Sequence, residues 1–189
     1  MLIPLLAEIT PPADWYDGAS AGLLLLRVVV GVSLAAHGYN KFFGGGRIPG
    51  TAAWFDSMGM KPNGRIHALL AASTELGCGL LFAAGLLTPL AAAGFVGLMV
   101  VAAWTVHRPN GFFIVKNGWE YNLILAAVPV GIAMAGPGRY SLDWALGLDV
   151  VYEPWLAFAL SAGLGLVAGA GLLAACYRPP ADEGGSDEG

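Results

Sequence analysis

The sequence predicts an all-α, polytopic membrane protein. Of its 189 residues, 57% are hydrophobic and only 12% are charged, and the mean hydropathy is +0.66. A soluble domain carries about 25% charged residues, so a soluble chain of this composition would expose large apolar patches. The apolar residues also gather into five segments, each approaching the ~17–25 residues of a spanning helix. The lipid bilayer is therefore the partner that composition names. No basic tract points to nucleic acid, and length alone suggests one domain.

The first segment is Ala21–Tyr39 and the second Ile66–Leu86. No charge occurs between Leu76 and Val106, a run too long for one helix. Thr88-Pro89 is its natural break, because proline suits the first turn of a new helix. The third segment then runs from Pro89 to Val106. The fourth, Trp119–Ala135, is the shortest and holds Pro129, where a kink is expected. The fifth is Pro154–Cys176. Met1–Ile9 is too short to span and lacks the basic start of a signal peptide.

Lys41, Arg47, Lys61 and Arg65 lie in the connection after the first segment, Arg108 and Lys116 in the connection after the third, and Arg178 after the fifth. The opposite side has only Arg139. The positive-inside rule puts the N-terminus outside and the C-terminus in the cytoplasm. The net charge of −4 says little, because several acids sit in the tail Asp182–Glu188.

Arg27 interrupts the first segment and Glu75 the second. A charge inside a bilayer costs at least a few kcal/mol and needs a partner or a purpose. Arg27 lies about 9 Å from the start of its segment, and Glu75 roughly 13–14 Å in from the opposite face. In a hydrocarbon core of about 30 Å, their heights differ by roughly 7 Å, a gap a long arginine can close. Pairing of Arg27 with Glu75 is thus one expectation. The alternative is that Glu75 lines a polar cavity that binds a head group or carries protons.

At ~100° per residue, Arg27, Gly31, Gly38 and Lys41 form one stripe of the first helix, with His37 offset from it. Small residues on that stripe let another backbone approach. Lys41 alone reads most simply as an interfacial snorkel. His37, His67, His107 and Glu120 collect near one membrane face. Their spacing is no local metal motif, so they are expected to satisfy helix ends or to serve a quinone head group beside an apolar slot. Thr51–Met60 looks like an interfacial amphipathic helix, with Trp54, Phe55 and Met58 at helical spacing. Asn110-Gly111 and Asn117-Gly118 are turn signals around Phe112–Val115, which forms either a small lid or a sticky interfacial loop. The two cysteines, Cys78 and Cys176, form no Cys-x-x-Cys pair. There is no haem or iron–sulfur spacing, and no phosphate loop or dinucleotide fingerprint.

Residues 25–41, Leu-Leu-Arg-Val-Val-Val-Gly-Val-Ser-Leu-Ala-Ala-His-Gly-Tyr-Asn-Lys, resemble the Leu-Arg…Gly…His-Gly…Lys opening of the DoxX family. Residues 73–89 are similar to its Glu-Leu-x-x-Gly…Gly-Leu-x-Thr segment. Gly118-Trp119-Glu120-Tyr121 and the block from Gly136 to Asp143 resemble its Gly-x-Glu-Tyr and Gly-Pro-Gly-x-x-Ser-x-Asp motifs. The resemblance covers roughly residues 20–147 and draws Tyr121, Arg139 and Asp143 into the candidate polar set. It implies a four-helix transmembrane bundle in a bacterial plasma membrane. Relatives so implied include the small subunit of a thiosulfate:quinone oxidoreductase and proteins tied to redox stress defence.

The expected layout is an N-terminal tail (1–20), a bundle (21–147), an additional fifth C-terminal transmembrane helix (154–176) and a disordered acidic tail (177–189). The fifth helix departs from the family pattern. Its stripe of Ser161, Gly165 and Gly169 suits packing either within the bundle or against another subunit. After the fourth segment, Arg139 and Asp143 are expected one helical turn apart, and Asp143 is a rival partner for Arg27. The functional expectation is an auxiliary, redox-associated subunit that holds a quinone or lipid, with no covalent cofactor and no metal. The alternatives are a proton-coupled or small-molecule transporter relaying through Glu75 and Arg27, and an assembly subunit of a larger membrane complex or homo-oligomer.

Overall fold

The computed structural model describes residues 13–179. Helix α1 covers Ala13–Phe43, α2 Arg47–Ser57, α3 Gly64–Ala84, α4 Thr88–Ala102, α5 Glu120–Ala135, α6 Leu142–Ala145, α7 Pro154–Phe158 and α8 Leu164–Cys176. Four stretches are long and apolar enough to cross a membrane: Tyr16–Phe43, Gly64–Ala84, Thr88–Asn110 and Pro154–Cys176. The third is α4 prolonged by a π-turn at Ala103–His107 and a 3-10 turn at Arg108–Asn110. The fourth joins α7 to α8 through a second π-turn at Ala159–Gly163. Helix α5 has 16 residues, about 24 Å of rise, and is shorter than the other four. The predicted all-α membrane class and the break at Thr88-Pro89 both stand.

The outward face of α1 is large and apolar, with Leu25, Val29 and Val32 exposed. Its inward face is mostly polar or small: Ser20, Arg27, Gly31, Ala35 and Gly38 are buried, with Leu34 the one large apolar residue among them. That inversion suits lipid, where helices associate through close packing and hydrogen bonds rather than by hiding apolar surface. Helix α3 lies directly against this stripe. A Cβ on Gly38 would stand 2.5 Å from Leu76 N, and one on Gly79 would stand 2.6 Å from Gly31 O. Backbones this close admit no side chain at either position.

The helix ends follow local chemistry. Asn63 caps α3, its Oδ1 accepting from Arg65 N at 2.8 Å. The Asp56 carboxylate of α2 accepts from Gly64 N at 2.6 Å, fixing α2 to the same end. Helix α3 stops at Gly85, which is left-handed (φ +65°). Leu86 N donates to Leu81 O at 2.9 Å and Gly85 N to Phe82 O at 3.0 Å, the paired bonds of a Schellman ending. The central core is built on Phe82 and Phe95, ring centroids 5.1 Å apart, with Leu34, Ala92 and Ile132 around them.

Several boundaries differ from expectation. Helix α1 begins at Ala13 and ends at Phe43, outrunning Ala21–Tyr39 at both ends because no breaker precedes the Gly44-Gly45-Gly46 run. The amphipathic helix of the first connection is Arg47–Ser57 rather than Thr51–Met60. Pro129 is buried inside α5, which continues past it as one helix. The predicted disordered tail begins too early: Met60 and Tyr177 form an antiparallel bridge, and Arg178 N donates to Gly59 O at 2.9 Å. The acidic residues Asp182–Glu188 lie outside the described residues.

Candidate functional site

Lys41, near the end of α1, reaches Glu75 of α3. Its Nζ lies 2.6 Å from Oε1 and 2.7 Å from Oε2. Both side chains are largely shielded, at 20% and 11% exposure. This overturns the pairing of Arg27 with Glu75. The stripe on α1 was correct but its depth was not. Because α1 runs on to Phe43, Lys41 stands inside the helix, and helical side chains point back toward the N-terminus. An ammonium carries three N–H donors, so two contacts to Glu75 leave one for another acceptor.

The pair lines a cleft of about 540 Å³. Its floor is α4, from Leu90 past Gly94 and Gly97 to Thr105 and Val106. One wall is α3, through His67, Leu70, Ala71, Thr74 and Glu75, and the other is α8, through Leu164, Gly165, Ala168, Gly169 and Leu172. Trp54 and Phe55 of α2, with Met60, close the end near His67. Polar groups occupy only that half. His67 and Glu75 are separated by about 12 Å along α3, and beyond Glu75 the lining is apolar.

His67 is the one histidine of the expected group that lines the cleft. It is 4% exposed and sits against Phe55, ring centroids 6.1 Å apart. Its Nε2 lies 2.8 Å from Lys61 O, while its Nδ1 is buried without a partner. Thr74 and the glycines of α4 went unmarked, since nothing in their spacing separates a cleft lining from ordinary helix packing, and Trp54 was expected only at the membrane interface.

Arg27 and Asp143 form a second polar group at the other end of the bundle. Arg27 is fully buried and donates to Tyr140 O at 2.6 Å and Ala83 O at 3.3 Å. Asp143, also fully buried, accepts from Leu87 N at 2.7 Å, Thr88 N at 3.0 Å and Thr88 Oγ1 at 2.7 Å. Arg27 forms no ion pair with either acid among the described residues. It ties the C-terminal Ala83 carbonyl of α3 to the Tyr140 carbonyl before α6, while Asp143 serves the first amides of α4, each charge matching the partial charge at its helix end. Tyr152, outside the spanning segments, has its phenol pushed above the ordinary range by burial and by the negative Asp143.

The remaining candidates are elsewhere. Arg139 does not face Asp143 across a helical turn; α6 starts only at Leu142, and Arg139 pairs with Asp17 of α1 at 2.9 Å, both exposed. His37 is exposed on α1, away from the cleft. His107 Nδ1 meets Asn117 O at 2.8 Å, and Glu120 Oε2 accepts from Ile114 N at 3.0 Å, so both tie up the third connection. Tyr121 is 45% exposed. The face that gathers three histidines in sequence therefore keeps only His67 in the cleft. Among the described residues, no three His, Cys, Asp or Glu side chains converge as a metal site would need. The fifth-helix stripe packs inside the chain: a Cβ on Gly165 would stand 2.5 Å from Val96 Cβ and one on Gly169 2.9 Å from Gly97 O.

The family model described as DoxX matches residues 22–108. That stretch holds Lys41, His67, Glu75 and the whole floor of the cleft, and excludes the α8 wall. An uncharacterised membrane protein of Mycobacterium tuberculosis, Rv3486, is 30% identical over 132 residues, covering 64% of this chain and 78% of that protein. The Bacillus subtilis protein named "Putative oxidoreductase CatD" is 30% identical over 122 residues, covering 65% of this chain and 84% of that protein. No solved structure matches the chain.

Proposed function

Because the chain belongs to the DoxX family of membrane proteins, we propose that it is an auxiliary subunit of a membrane redox system that holds a quinone- or lipid-type ligand in the α3–α4–α8 cleft. One observation carries this reading: an apolar slot has its polar groups, the Lys41–Glu75 pair and His67, confined to one half. Pockets for amphipathic ligands pair apolar walls with a few placed polar groups. Lys41, Glu75 and His67 would hold the head of such a ligand, and Leu90, Ala93, Leu164 and Ala168 its tail. A bound quinone would supply two-electron, two-proton carrier chemistry, while the chain itself binds and orients. The name of the Bacillus subtilis relative supports an oxidoreductase context. The positive-inside rule supports a plasma-membrane orientation with the polar half of the cleft toward the cytoplasm.

Native mass spectrometry of protein extracted in mild detergent tests ligand and partner together. A retained lipid or quinone, or saturable binding of a short-chain quinone, is expected, with binding weakened about tenfold or more in Lys41→Met. Protein that carries neither and binds neither in a titration would sink the reading.

A proton-coupled carrier is the second reading, favoured by the charge pair inside the cleft. Its relay would run through Lys41 and Glu75, because Arg27 lies at the far end of the bundle. Flux in proteoliposomes that falls in Glu75→Gln would support it, and absence of flux would dismiss it.

A further inference from the structure

We infer that the cleft selects ligands whose head carries no net charge, because the Lys41–Glu75 pair presents both signs at one point and balances them. This rests on the ligand-binding reading and narrows its ligand class. It admits an uncharged head, such as that of a quinone or an acylglycerol, and turns away fatty-acid anions, acidic phospholipids and cationic amphiphiles. Among the described residues that line the cleft, only Lys41, His67 and Glu75 can carry charge. Thr74 and Thr105 are polar but neutral, and Thr105 Oγ1 donates its hydrogen to Val101 O at 2.8 Å. His67 Nε2 lies 2.8 Å from Lys61 O, a bond that a neutral imidazole makes. The cleft's charge therefore rests on the pair.

The pair sums to zero wherever its shared proton rests, as ammonium with carboxylate or as amine with carboxylic acid. Both side chains line the cleft and keep some accessible surface. Lys41 Nζ contacts both carboxylate oxygens, at 2.6 and 2.7 Å. An anion that reaches Nζ therefore also meets the repulsion of Glu75, and a cation that reaches Glu75 meets that of Lys41. Neither ion finds an unshared counter-charge. Glu75 stands near the midpoint of α3, and an unbalanced charge at that depth is expensive. An uncharged oxygen or hydroxyl escapes this cost. It can take the spare N–H of Lys41 or a free lone pair of Glu75.

Titration of the full-length protein in phosphatidylcholine nanodiscs decides the matter, at about pH 8, where an ordinary imidazole is neutral. The probes are decylubiquinone and two permanently charged amphiphiles, dodecylsulfonate and dodecyltrimethylammonium, each corrected for its uptake by protein-free discs. The parent protein is expected to bind decylubiquinone and to hold either ion about tenfold or more weakly. Glu75→Gln leaves Lys41 unbalanced and should tighten dodecylsulfonate about tenfold over the parent, without tightening the cation. Lys41→Met should tighten dodecyltrimethylammonium and not the anion. A parent protein that holds either ion as tightly as decylubiquinone, or more tightly, overturns the selection rule and leaves the ligand site standing. Binding of none of the three overturns both. Folded variants that reject both ions as the parent does also overturn the assignment, and the parent order decides even where a variant does not fold.

Discussion

Lys41 and Glu75 show how a charge pair survives inside an apolar bundle. Neither is free to hydrate, and each contacts the other at 2.6–2.7 Å. Removing one member strands the other, a change that costs about 3–5 kcal/mol for a buried pair, whereas replacing both by apolar residues is often nearly neutral. Lys41→Met should therefore lower the detergent-solubilised melting temperature sharply. The double change Lys41→Met with Glu75→Leu should recover most of the loss. Thermal unfolding of the parent, both single variants and the double variant measures the coupling, and additive losses would mean that the two charges act separately. The sequence displayed both residues and the stripe that joins Lys41 to Arg27. It did not display which cation reaches the acid, because that depends on how far α1 runs past Tyr39.

At the scale of elements, the turn between α3 and α4 concentrates the outer polar chemistry. Two helix ends of opposite partial charge meet there, and the chain brings a guanidinium to one and a carboxylate to the other. Asp143→Leu would leave three donors, one from Leu87 and two from Thr88 at the start of α4, without an acceptor, an expected loss of about 2–4 kcal/mol. Asp143→Asn, which retains one oxygen acceptor, should lose less. Differential scanning fluorimetry distinguishes the two. This lock was half legible. Asp143 was a named candidate, but its partners are backbone amides some 55 residues away, which no periodicity reveals.

The α1–α3 contact gives a sharper contrast. Gly38→Ala drives a Cβ into the α3 backbone and should destabilise by roughly 1–3 kcal/mol, parting Lys41 from Glu75. Gly22→Ala, on the same helix with open space around it, should stabilise by about 0.5–1 kcal/mol through helix propensity alone. The two melting temperatures should move in opposite directions. If Gly38→Ala melts no lower than the parent, α1 does not pack by close backbone approach.

The whole molecule joins a core matched by the family to a further wall. Hydropathy revealed five apolar segments, and their order was enough to give the class. What it hid is how α8 is used: its small residues settle on α4 and complete the cleft, while its C-terminal end is stitched to the α2–α3 connection by backbone bonds. Small-residue stripes serve internal and external contacts equally well, so sequence alone left that choice open.

Orientation is the remaining large-scale prediction. Val115, 88% exposed, lies in the connection after α4, and Val150, 82% exposed, in the connection before α7. With Cys78 and Cys176 first changed to serine, Val150→Cys should react with a membrane-impermeant maleimide in intact cells. Val115→Cys should react only after the membrane is opened. The reverse pattern would turn the protein over and face the polar half of the cleft outward. Labelling of both from one side would be more telling. It would mean that α5, whose 24 Å rise falls short of a hydrocarbon core of about 30 Å, does not carry the chain across. The two connections lie at opposite ends of α4, since Asp143 caps its first turn while Asn117 meets His107 beyond its last. A same-side result would thus contradict the bundle itself, and not merely its direction in the membrane.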